Sequence, residues 1–499
     1  MAKQGILAKS KPSAATNTLL YSAPIDASAS TVLTVNEQGG SGTTFDVALK
    51  NYDQKMTLGA SNYKLHTGDV VTGYRMTLNT PLPATAGLTA GTTLTSTSGE
   101  ATLNFESFYL PAFTEIVVKV RAIRALTLES TSGTFAVGET FSTGTAPNAT
   151  TATIYAAAEG SGTYTVYIGP STINGSGAEF AAGDSVSSSG SATGTISTGG
   201  IGAAVNEFTF TESGGTEDLF LGTVLTVFTD RVYRFNVADS SLSGLDFSLS
   251  TTVNGEWGPD GTAGNSDDGT EYTTGKTTNG TAGSSGAYIQ YDFTQDTNLS
   301  GNLYVYEGTT GTAGNSAYGG SDRFLTTSDS FQYSELYVYD IDGTWTNSTD
   351  SFLFNGVTYT ITAQTAGAYG YIRSYSGTTA YVVKGNGSAD FTTSSTFQDN
   401  PKLSGAARTA VTVSSIDVAT TAVETQEYLR KDNTLAADSA EEIKSLVIGP
   451  GERLIVECAA AEANFVLIGF EDSSTGFTTR TYESCLLYTS DAADDANCV

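Results

Sequence analysis

"TEIVVKVRAIRALTL", residues 114–128, alternates apolar side chains with charged or small ones along most of its length. Ile116 and Val118 fall on one face of an extended chain, while Lys119 and Arg121 fall on the other. Successive side chains of a β-strand point to opposite faces, so this period of two indicates a strand with one buried face. The stretch therefore predicts a half-buried strand, and its pattern recurs along most of the chain.

Two further stretches show the same alternation. "TTFDVAL", residues 43–49, reads as one strand, and "LVIGPGERLIVEC", residues 446–458, reads as two strands around a Gly-Pro-Gly turn. "TQEYLRKD" and "DSAEEIKSL" are the stretches whose composition supports a helical turn. The residues predicted to point inward are Phe45, Val47 and Leu49 in the first stretch and Leu454, Val456 and Cys458 in the second.

The composition favours several β modules over one large domain or an α-rich fold. The chain has 499 residues, of which 55 are glycine and only 15% are charged, so strong helix formers are few. With 39% hydrophobic and 10% aromatic residues, the chain has enough apolar surface to bury several small cores. We therefore predict an all-β fold, in the form of a multi-module β-sandwich protein.

The charge and the apolar patterning exclude two classes of partner. A formal charge of −29 argues against nucleic acid, because binding to phosphates draws on Lys and Arg. No run approaches the roughly 20 apolar residues that a membrane span needs. "MAKQGILAKSKPSAATNT", residues 1–18, has no apolar core long enough for a secretory signal, so we expect a product made in a cytoplasm.

Two segments in the middle of the chain repeat one another. "FAVGETFSTGTAPNATTATI" from Phe135 and "FAAGDSVSSSGSATGTI" from Phe180 share Phe-x-x-Gly, an acidic residue and Ser or Thr, 45 positions apart. Each continues into a polar turn and a short strand pattern, which predicts two copies of a small β unit. "GTAGNS" recurs at Gly261 and Gly311, within Gly/Ser-rich loops where low complexity alone produces such echoes.

The last residues have a separate signature. "CLLYTSDAADD", Cys485 to Asp495, resembles the in-frame translation of a transposon-end adapter used in sequencing libraries. On this interpretation residues 485–499 are an artefact and native sequence ends near Ser484; the alternative is a natural polar tail. Cys458 would then stand alone, and a lone strand cysteine is typically a small core residue. The sequence has no CxxC zinc site and no disulfide framework.

The two ends of the chain carry a family resemblance. "ATNTLLYSAPIDASASTVLTVNEQGGSGTTFDVALKNYDQ", residues 15–54, and "EYLRKDNTLAADSAEEIKSLVIGPGERLIVECAAAEANFVLIGFE", residues 427–471, resemble two halves of a small β-sandwich domain common in virion proteins of tailed phages. The resemblance implies one discontinuous sandwich with everything between as an insertion. Such an insertion costs little, because loop-closure entropy grows slowly with length. Two independent end domains are the alternative.

Two segments nearby extend this resemblance. "NYKLHTGDVVTGYRMTLNTPLP", residues 62–83, and "FESFYLPAFTEIVVKVRAIRALTLES", residues 105–130, resemble structural proteins of marine tailed phages of the cyanophage and pelagiphage kind. None of these segments contains a catalytic motif. The resemblance implies a structural component of a virion.

A third resemblance concerns residues 219–320. "LFLGTVLTVFTDRVYRFNVADSSLSGLDFSLSTTVNGEW", "GTEYTTGKTTNGTAGSSGAYIQYDF" and "NLYVYEGTTGTAGNSAYGG" resemble a cupredoxin-like domain of marine phage and bacterial proteins. In that family a His lies near the position of "LDFS", and a Cys, a His and a Met follow the strand that corresponds to "NLYVY". At these places the present chain has Gly244, Leu245 and Asp246, then Glu307 and Gly308. Because such a site needs thiolate and imidazole ligands, the resemblance implies a scaffold that has lost its metal and holds no cofactor.

A Gly-Asp-rich loop offers oxygen ligands for a different metal. "GPDGTAGNSDDGT", residues 258–270, places acidic and amide side chains among glycines, and calcium accepts about six to eight such oxygens. The spacing does not match an EF-hand loop, and a chain with 52 acidic residues is expected to cluster three of them in some surface turn by chance. We therefore predict no metal site. The calcium candidates under the alternative are Asp260, Asn265, Asp267 and Asp268.

No catalytic motif is evident. His66, in "KLHTGDV", is the single histidine of the chain and has no nucleophile in the same motif, which favours a structural role. A Ser-His-Asp arrangement of distant residues stays open. No Gly-rich phosphate loop with Lys is present, and the many carboxylates nominate no pair for sugar hydrolysis. We expect a protein that is not an enzyme.

Tyrosines crowd the third quarter of the chain and suggest two roles. Exposed tyrosines stack on sugars or anchor protein contacts, whereas alternating tyrosines also build β-sheet surfaces, and we favour the second role. The residues are Tyr288, Tyr291, Tyr304, Tyr306, Tyr333, Tyr337, Tyr339, Tyr369, Tyr371, Tyr375 and Tyr381.

Taken together, these patterns predict a phage virion structural protein of the head or tail, which docks to the particle and displays β modules for contact with a host-surface glycan or receptor. The expected partners are other virion proteins, the expected location is the virion, and the oligomeric state is open. The alternatives are a bacterial cell-surface adhesin and a glycan-degrading appendage enzyme. The predicted ranges are 1–128 and 405–484 for the two sandwich parts, 129–204 for the repeats, 205–325 for the cupredoxin-like module, 326–404 for a Tyr-rich meander and 485–499 for the adapter.

Overall fold

The computed structural model describes residues 3–212, 214–220, 225–309, 323–399 and 409–473. Strands joined by turns and short 3-10 helices make up the regular structure of these residues, which confirms the predicted all-β fold. No helix among them has the length and apolarity to cross a membrane.

The strands are numbered in chain order. Those of the first half are β1 (Lys3–Ser10), β2 (Thr18–Ser22), β3 (Ser28–Glu37), β4 (Thr43–Lys50), β5 (Gln54–Leu58), β6 (Val70–Thr72), β7 (Arg75–Pro83), β8 (Thr93–Thr95), β9 (Thr102–Phe108), β10 (Thr114–Ser132), β11 (Thr140–Thr143), β12 (Thr150–Glu159), β13 (Tyr164–Ile168), β14 (Thr172–Ile173), β15 (Ser185–Ser188), β16 (Thr193–Ile201) and β17 (Val205–Glu212). Those of the second half are β18 (Leu225–Phe228), β19 (Val232–Asn236), β20 (Phe247–Ser250), β21 (Lys276–Asn279), β22 (Tyr288–Asp292), β23 (Asn302–Glu307), β24 (Phe324–Ser328), β25 (Gln332–Asp342), β26 (Ser351–Phe354), β27 (Val357–Thr365), β28 (Tyr369–Ser376), β29 (Thr379–Lys384), β30 (Thr396–Gln398), β31 (Ala410–Val418), β32 (Tyr428–Leu435), β33 (Ala440–Ile448), β34 (Arg453–Cys458) and β35 (Ala463–Asp472). The short 3-10 helices are Ala84–Ala86, Ser240–Leu242, Gly255–Trp257, Phe293–Gln295 and Thr425–Glu427.

Strands from both ends of the chain form one sandwich, which we call the terminal sandwich. One sheet has the order β1-β35-β3-β33 and the other has the order β2-β34-β4-β32. Strand β3 pairs with β35 along its whole length, from Ser28 opposite Asp472 to Glu37 opposite Ala463. The two end segments are therefore one discontinuous sandwich, and the residues between β4 and β32 are inserted in it.

Both ends contribute to the core of the terminal sandwich. The rings of Phe45 and Phe465 meet edge to face, with centroids 6.0 Å apart. Full burial of an apolar side chain of this size contributes about 1.5–3 kcal/mol, so each end stabilises the other. Phe45, Val47, Leu454, Val456 and Cys458 are buried as predicted, and Leu49 is half-buried against the same core.

The strands next along the chain, β5 to β9 and β25 to β31, form two six-stranded sheets. One has the order β26-β27-β7-β25-β9-β8 and the other has the order β30-β31-β5-β29-β28-β6. Each sheet curls around a core of its own, which includes Phe105 in the first and Phe391 in the second. A bridge between Ser96 and Phe352 joins the outer strands of the first sheet, which makes it a partial barrel.

The chain leaves and returns on neighbouring strands. Ala48 near the end of β4 lies opposite Tyr428 at the start of β32, and Phe108 at the end of β9 lies opposite Leu336 in β25. Each insertion therefore begins and ends at adjacent backbones, so that one β module can be carried within another. The described residues fall into two compact units, one within 1–109 and 332–499 and one within 110–331.

In the unit within 110–331, two substructures share the long strand β10. Its first half, Ile116–Ile123, pairs with β17, and its second half, Arg124–Leu128, pairs with β13. The second half closes a barrel in the order β10-β16-β15-β11-β12-β13. The first half belongs to a sandwich of sheets β17-β10-β19-β22-β21 and β18-β24-β23-β20. Ile116 and Val118 are buried in the sandwich core, as their alternation predicts.

The two sequence repeats form equivalent parts of the barrel. Strands β11 and β15 pair with Ser142 opposite Ser187, and these residues are 45 positions apart like the repeats themselves. Equivalent residues therefore meet at a local two-fold axis. Phe135 and Phe180 are both buried in the barrel core.

The shared motif of the repeats encodes a turn. Gly138 and Gly183 have φ values of 82° and 89°, in the region that glycine adopts without a steric penalty. The next side chain, Glu139 or Asp184, accepts the backbone N–H three residues earlier, at 3.1 and 2.8 Å respectively. The turn explains why Phe-x-x-Gly and an acidic residue recur together.

The two stretches with helix-compatible composition fold differently from each other. "DSAEEIKSL" runs into β33 rather than a helical turn, because Ile443, Leu446 and Ile448 all face the core of the terminal sandwich. Ser445, with a φ of 58°, lies at the irregularity that brings Ile443 and Leu446 to the same face. "TQEYLRKD" begins with the 3-10 helix Thr425–Glu427 and continues as β32.

Strand pairing crosses several of the ranges predicted from the sequence. Strand β10 spans the boundary drawn after residue 128, and strands from 326–404 pair with strands from 1–128. The domain ranges as such stay a prediction. Residues 485–499, which are predicted to be an adapter artefact and include Cys485 and Cys498, lie outside the described residues, as does the second "GTAGNS".

Candidate functional site

The loop with the calcium candidates is a hydrogen-bonded turn. Asp260 accepts the Thr262 N–H at 2.8 Å and the Asn265 side-chain amide at 3.0 Å. Asp268 accepts the Asn265 N–H at 2.8 Å, and Asn265 Oδ1 accepts the Asp267 N–H at 3.0 Å. The four candidates are thus brought together, but N–H groups of the loop itself occupy several of their oxygens. Among the described residues, no group of three or more His, Cys, Asp or Glu side chains is arranged to hold a metal ion.

The two places where the cupredoxin-like family has metal ligands lie side by side in this chain. The Asp246 N–H donates to Glu307 Oε1 at 2.9 Å, and the Gly308 N–H donates to the Asp246 carbonyl at 2.9 Å. Glu307 is fully buried, and its Oε1 also accepts the Thr309 N–H at 3.0 Å. Burial raises the pKa of Asp246. The site holds the Glu307 carboxylate, bound to two backbone amides, beside Asp246, and such oxygen groups do not suit a soft metal ion.

His66 forms part of a turn. Its N–H donates to Asp69 Oδ2 at 2.6 Å, and its Nδ1 lies 3.5 Å from the same oxygen. The Asp69 N–H returns a hydrogen bond to the His66 carbonyl at 3.1 Å. These contacts support the structural role favoured by the sequence.

The tyrosines of the third quarter belong to the sheets rather than to an open surface. Each of the eleven is buried or half-buried. Tyr371, in β28, is fully buried and donates to Asp340 Oδ2 at 2.5 Å, and its ring packs edge to face on Tyr339. This burial favours the sheet-building role over stacking on sugars.

The most distinctive polar site lies where the chain passes between the terminal sandwich and the inserted strands; we call it the joint and define it as Lys50, Tyr52, Asp53, Glu424 and Arg453. Arg453 Nε and Nη2 donate to the two carboxylate oxygens of Asp53, both at 2.6 Å. Asp53 is fully buried and Arg453 is 5% exposed. Asp53 also accepts the Lys384 N–H at 2.6 Å, so the ion pair fastens β34 to the end of β29.

A second buried cation in the joint holds the returning chain. Lys50 Nζ donates to the carbonyls of Ala422 at 2.7 Å and Ala419 at 3.0 Å, although burial lowers its pKa. It also lies 4.6 Å from the centre of the Tyr52 ring. Tyr52 in turn donates to Glu424 at 2.9 Å. The outgoing end of β4 and the return between β31 and β32 are thereby fastened to one another.

Sequence reasoning missed the joint. Lys50 and Asp53 follow a predicted strand, and Arg453 follows the Gly-Pro-Gly turn, so each reads locally as an ordinary polar residue at a strand end. A bidentate contact between residues 400 positions apart leaves no local pattern. The available signal was the resemblance of the two ends, which implied that these strands meet.

We find no match to this chain among protein-family models, curated proteins or solved structures.

Proposed function

We propose that this protein is a non-enzymatic structural component of a phage particle, in which the terminal sandwich docks to the particle and the inserted β modules are displayed. The observation that carries the proposal is the pairing of β3 with β35 along their whole length, which makes one base from both ends of the chain. The virion assignment itself rests on the resemblance of residues 15–54 and 427–471 to virion sandwiches.

The joint supports the mechanical side of this proposal. A module attached by two flexible linkers would reorient freely, whereas here both connections carry buried charges with fixed partners. Removing one partner of such a pair leaves an uncompensated buried charge, which strongly penalises any other arrangement. The joint therefore gives the inserted strands that it contacts a defined orientation on the base.

Display for contact with a host-surface glycan or receptor completes the proposal. The absence of the family's ligands from the cupredoxin-like module fits a domain kept as a spacer, since the Glu307 carboxylate, bound to two backbone amides, lies at one of those places. Because the tyrosines are partly or fully buried in the sheets, we propose that polar loop tips are the surfaces that contact a host.

Mass spectrometry of purified particles and of cell envelopes from the source culture tests the assignment. We expect peptides from residues 15–471 in the particle fraction, at a constant ratio to the major particle proteins through density-gradient purification. Peptides confined to the envelope fraction would contradict the proposal in favour of an adhesin. Shortening of host polysaccharide by the purified chain would contradict it in favour of a glycan-degrading enzyme.

A further inference from the structure

The sheet β1-β35-β3-β33 turns an apolar surface to solvent, which we call the outer face and define by its outward rows. The middle row is Ile6, Ile468 and Val32, and a neighbouring row is Gln4, Phe470, Ser30 and Val447. Ile6 is 65% exposed, Val447 61%, Phe470 47% and Ile468 46%. Their neighbours on the inward side, Leu33 and Leu467, are fully buried, so the outward direction of this set is fixed by strand alternation.

The third row of the outer face separates opposite charges. Lys9, on the edge strand β1, lies opposite Val466, which lies opposite Thr34, which lies opposite Glu442 on the other edge strand β33. Both charged residues are exposed. The outer face thus has Lys9 on one edge, an apolar centre and Glu442 on the other edge, where Lys444 of the same strand lies 3.2 Å from it.

This arrangement is self-complementary. A two-fold axis in the plane of the outer face, parallel to the strands and between β35 and β3, places β1 of one copy over β33 of a second copy. Lys9 then lies over Glu442 of the second copy, and Ile468 lies over its Val32. An isologous contact of this kind uses the same surface on both copies, as in most dimers.

We propose that the outer face binds a second copy of this chain. Four strands about 4.8 Å apart and three outward rows give a contact of roughly 400 Å² per copy, in the range of weak and reversible association. The large negative charge of each copy also opposes association. We therefore expect the dimer to be more stable at higher salt concentration, because salt screens this long-range repulsion. This pairing goes beyond docking to a particle, and a monomeric protein would leave that proposed function standing.

Sedimentation equilibrium of the full chain, at about 1 to 100 µM and physiological salt, tests the proposal. We expect a reversible monomer–dimer equilibrium that Ile468→Asp weakens by about tenfold or more, because a charge is then buried at the centre of the contact. Leu353→Asp is the matched control, since Leu353 is an exposed apolar strand residue at 62% exposure outside the terminal sandwich. It should leave the dimer unchanged.

A charge exchange identifies the orientation. Lys9→Glu and Glu442→Lys should each weaken the dimer by about threefold, and the double variant should restore it. Circular dichroism checks that each variant is folded. A wild-type chain that stays monomeric at the highest concentration would overturn the proposal and assign the outer face to a different protein. A dimer insensitive to Ile468→Asp, or single charge variants whose losses add in the double variant, would overturn it as well.

Discussion

The joint and the outer face lie in the same small sandwich and treat water in opposite ways. At the joint Asp53 and Lys50 are charged and fully buried, whereas on the outer face Ile6 and Ile468 are apolar and largely exposed. Buried charges are costly unless they are paired, so they specify one arrangement of the chain. Exposed apolar side chains cost little free energy of folding, and covering them with a partner lowers the free energy further. One sandwich therefore combines a fixed internal connection with an exposed apolar surface, for which we propose a partner.

Replacing Asp53 breaks the joint and should have the largest effect. Asp53→Ala leaves Arg453 buried without its carboxylate, so we expect a loss of about 3–5 kcal/mol in the stability of the terminal sandwich. Hydrogen exchange of the β4 and β34 amides measures this loss without assuming that the whole chain unfolds in one step. Lys431→Ala, which removes an exposed side chain of β32 in the same sandwich, is the control and should cost less than about 0.5 kcal/mol. A loss as small for Asp53→Ala would mean that the joint is open to water.

Replacing Lys50 tests the second cation of the joint. Lys50→Met keeps the bulk of the side chain but removes the donor to Ala419 and Ala422, so we expect a loss of about 2 kcal/mol. In the same measurement, the variant should exchange amide hydrogens faster than the wild-type chain near β31 and β32, and at the wild-type rate near β10. Unchanged protection at Lys50→Met would contradict a role in holding the returning chain.

The outer face should tolerate what the joint does not. Ile468→Ser is expected to change the stability of the monomer by no more than about 0.5 kcal/mol, because the side chain is already 46% exposed. Its neighbour Leu467 is fully buried, and Leu467→Ala should cost about 2–5 kcal/mol. Unfolding of both variants at high dilution makes the comparison. Equal losses would mean that the outer face is part of a core.

At the exposed edge of the joint, the stability of the folded chain should depend on pH. A hydrogen bond from Lys55, at 3.1 Å, lowers the pKa of Glu424 below its ordinary value of 4.5. The pair therefore stabilises the folded chain above pH 4.5, and this contribution is lost as the pH falls through the lowered pKa. Lys55→Met should lower the stability slightly at neutral pH and leave it unchanged near pH 2, where Glu424 is protonated. A cost that persists at low pH would indicate lost packing rather than lost charge.

The sequence predicted the parts of the fold that depend on local alternation. Ile116, Val118, Phe45 and Val456 face inward because a period of two determines their side, and the repeat at Phe135 marks a turn that is encoded twice. The sequence predicted a strand at the end of β33, before the Gly-Pro-Gly turn, but not its first part, since "DSAEEIKSL" has a helix-compatible composition and tertiary pairing overrides that preference.

The candidate site was predicted less completely, for physical reasons. The resemblance to the cupredoxin-like family singled out Asp246 and Glu307 as positions near the family's ligands. The structure brings the two residues together through the Asp246 N–H, which donates to Glu307. The joint and the outer face depend on which strands become neighbours across nearly the whole chain. Alternation identifies the two faces of a strand but does not determine which face is covered by another module and which is left to a partner.

Lysine footprinting of assembled particles tests the central claim, that the terminal sandwich docks while the insertion is displayed. In the free chain Lys3 and Lys444, both in the terminal sandwich, have side chains that are 70% and 72% exposed. Lys64, in the inserted loop between β5 and β6, is exposed as well. Acetylation followed by mass spectrometry compares dilute free protein with intact particles. We expect labelling of Lys3 and Lys444 to fall several-fold in particles while labelling of Lys64 is unchanged. Protection of Lys64 with full labelling of Lys3 and Lys444 would contradict it.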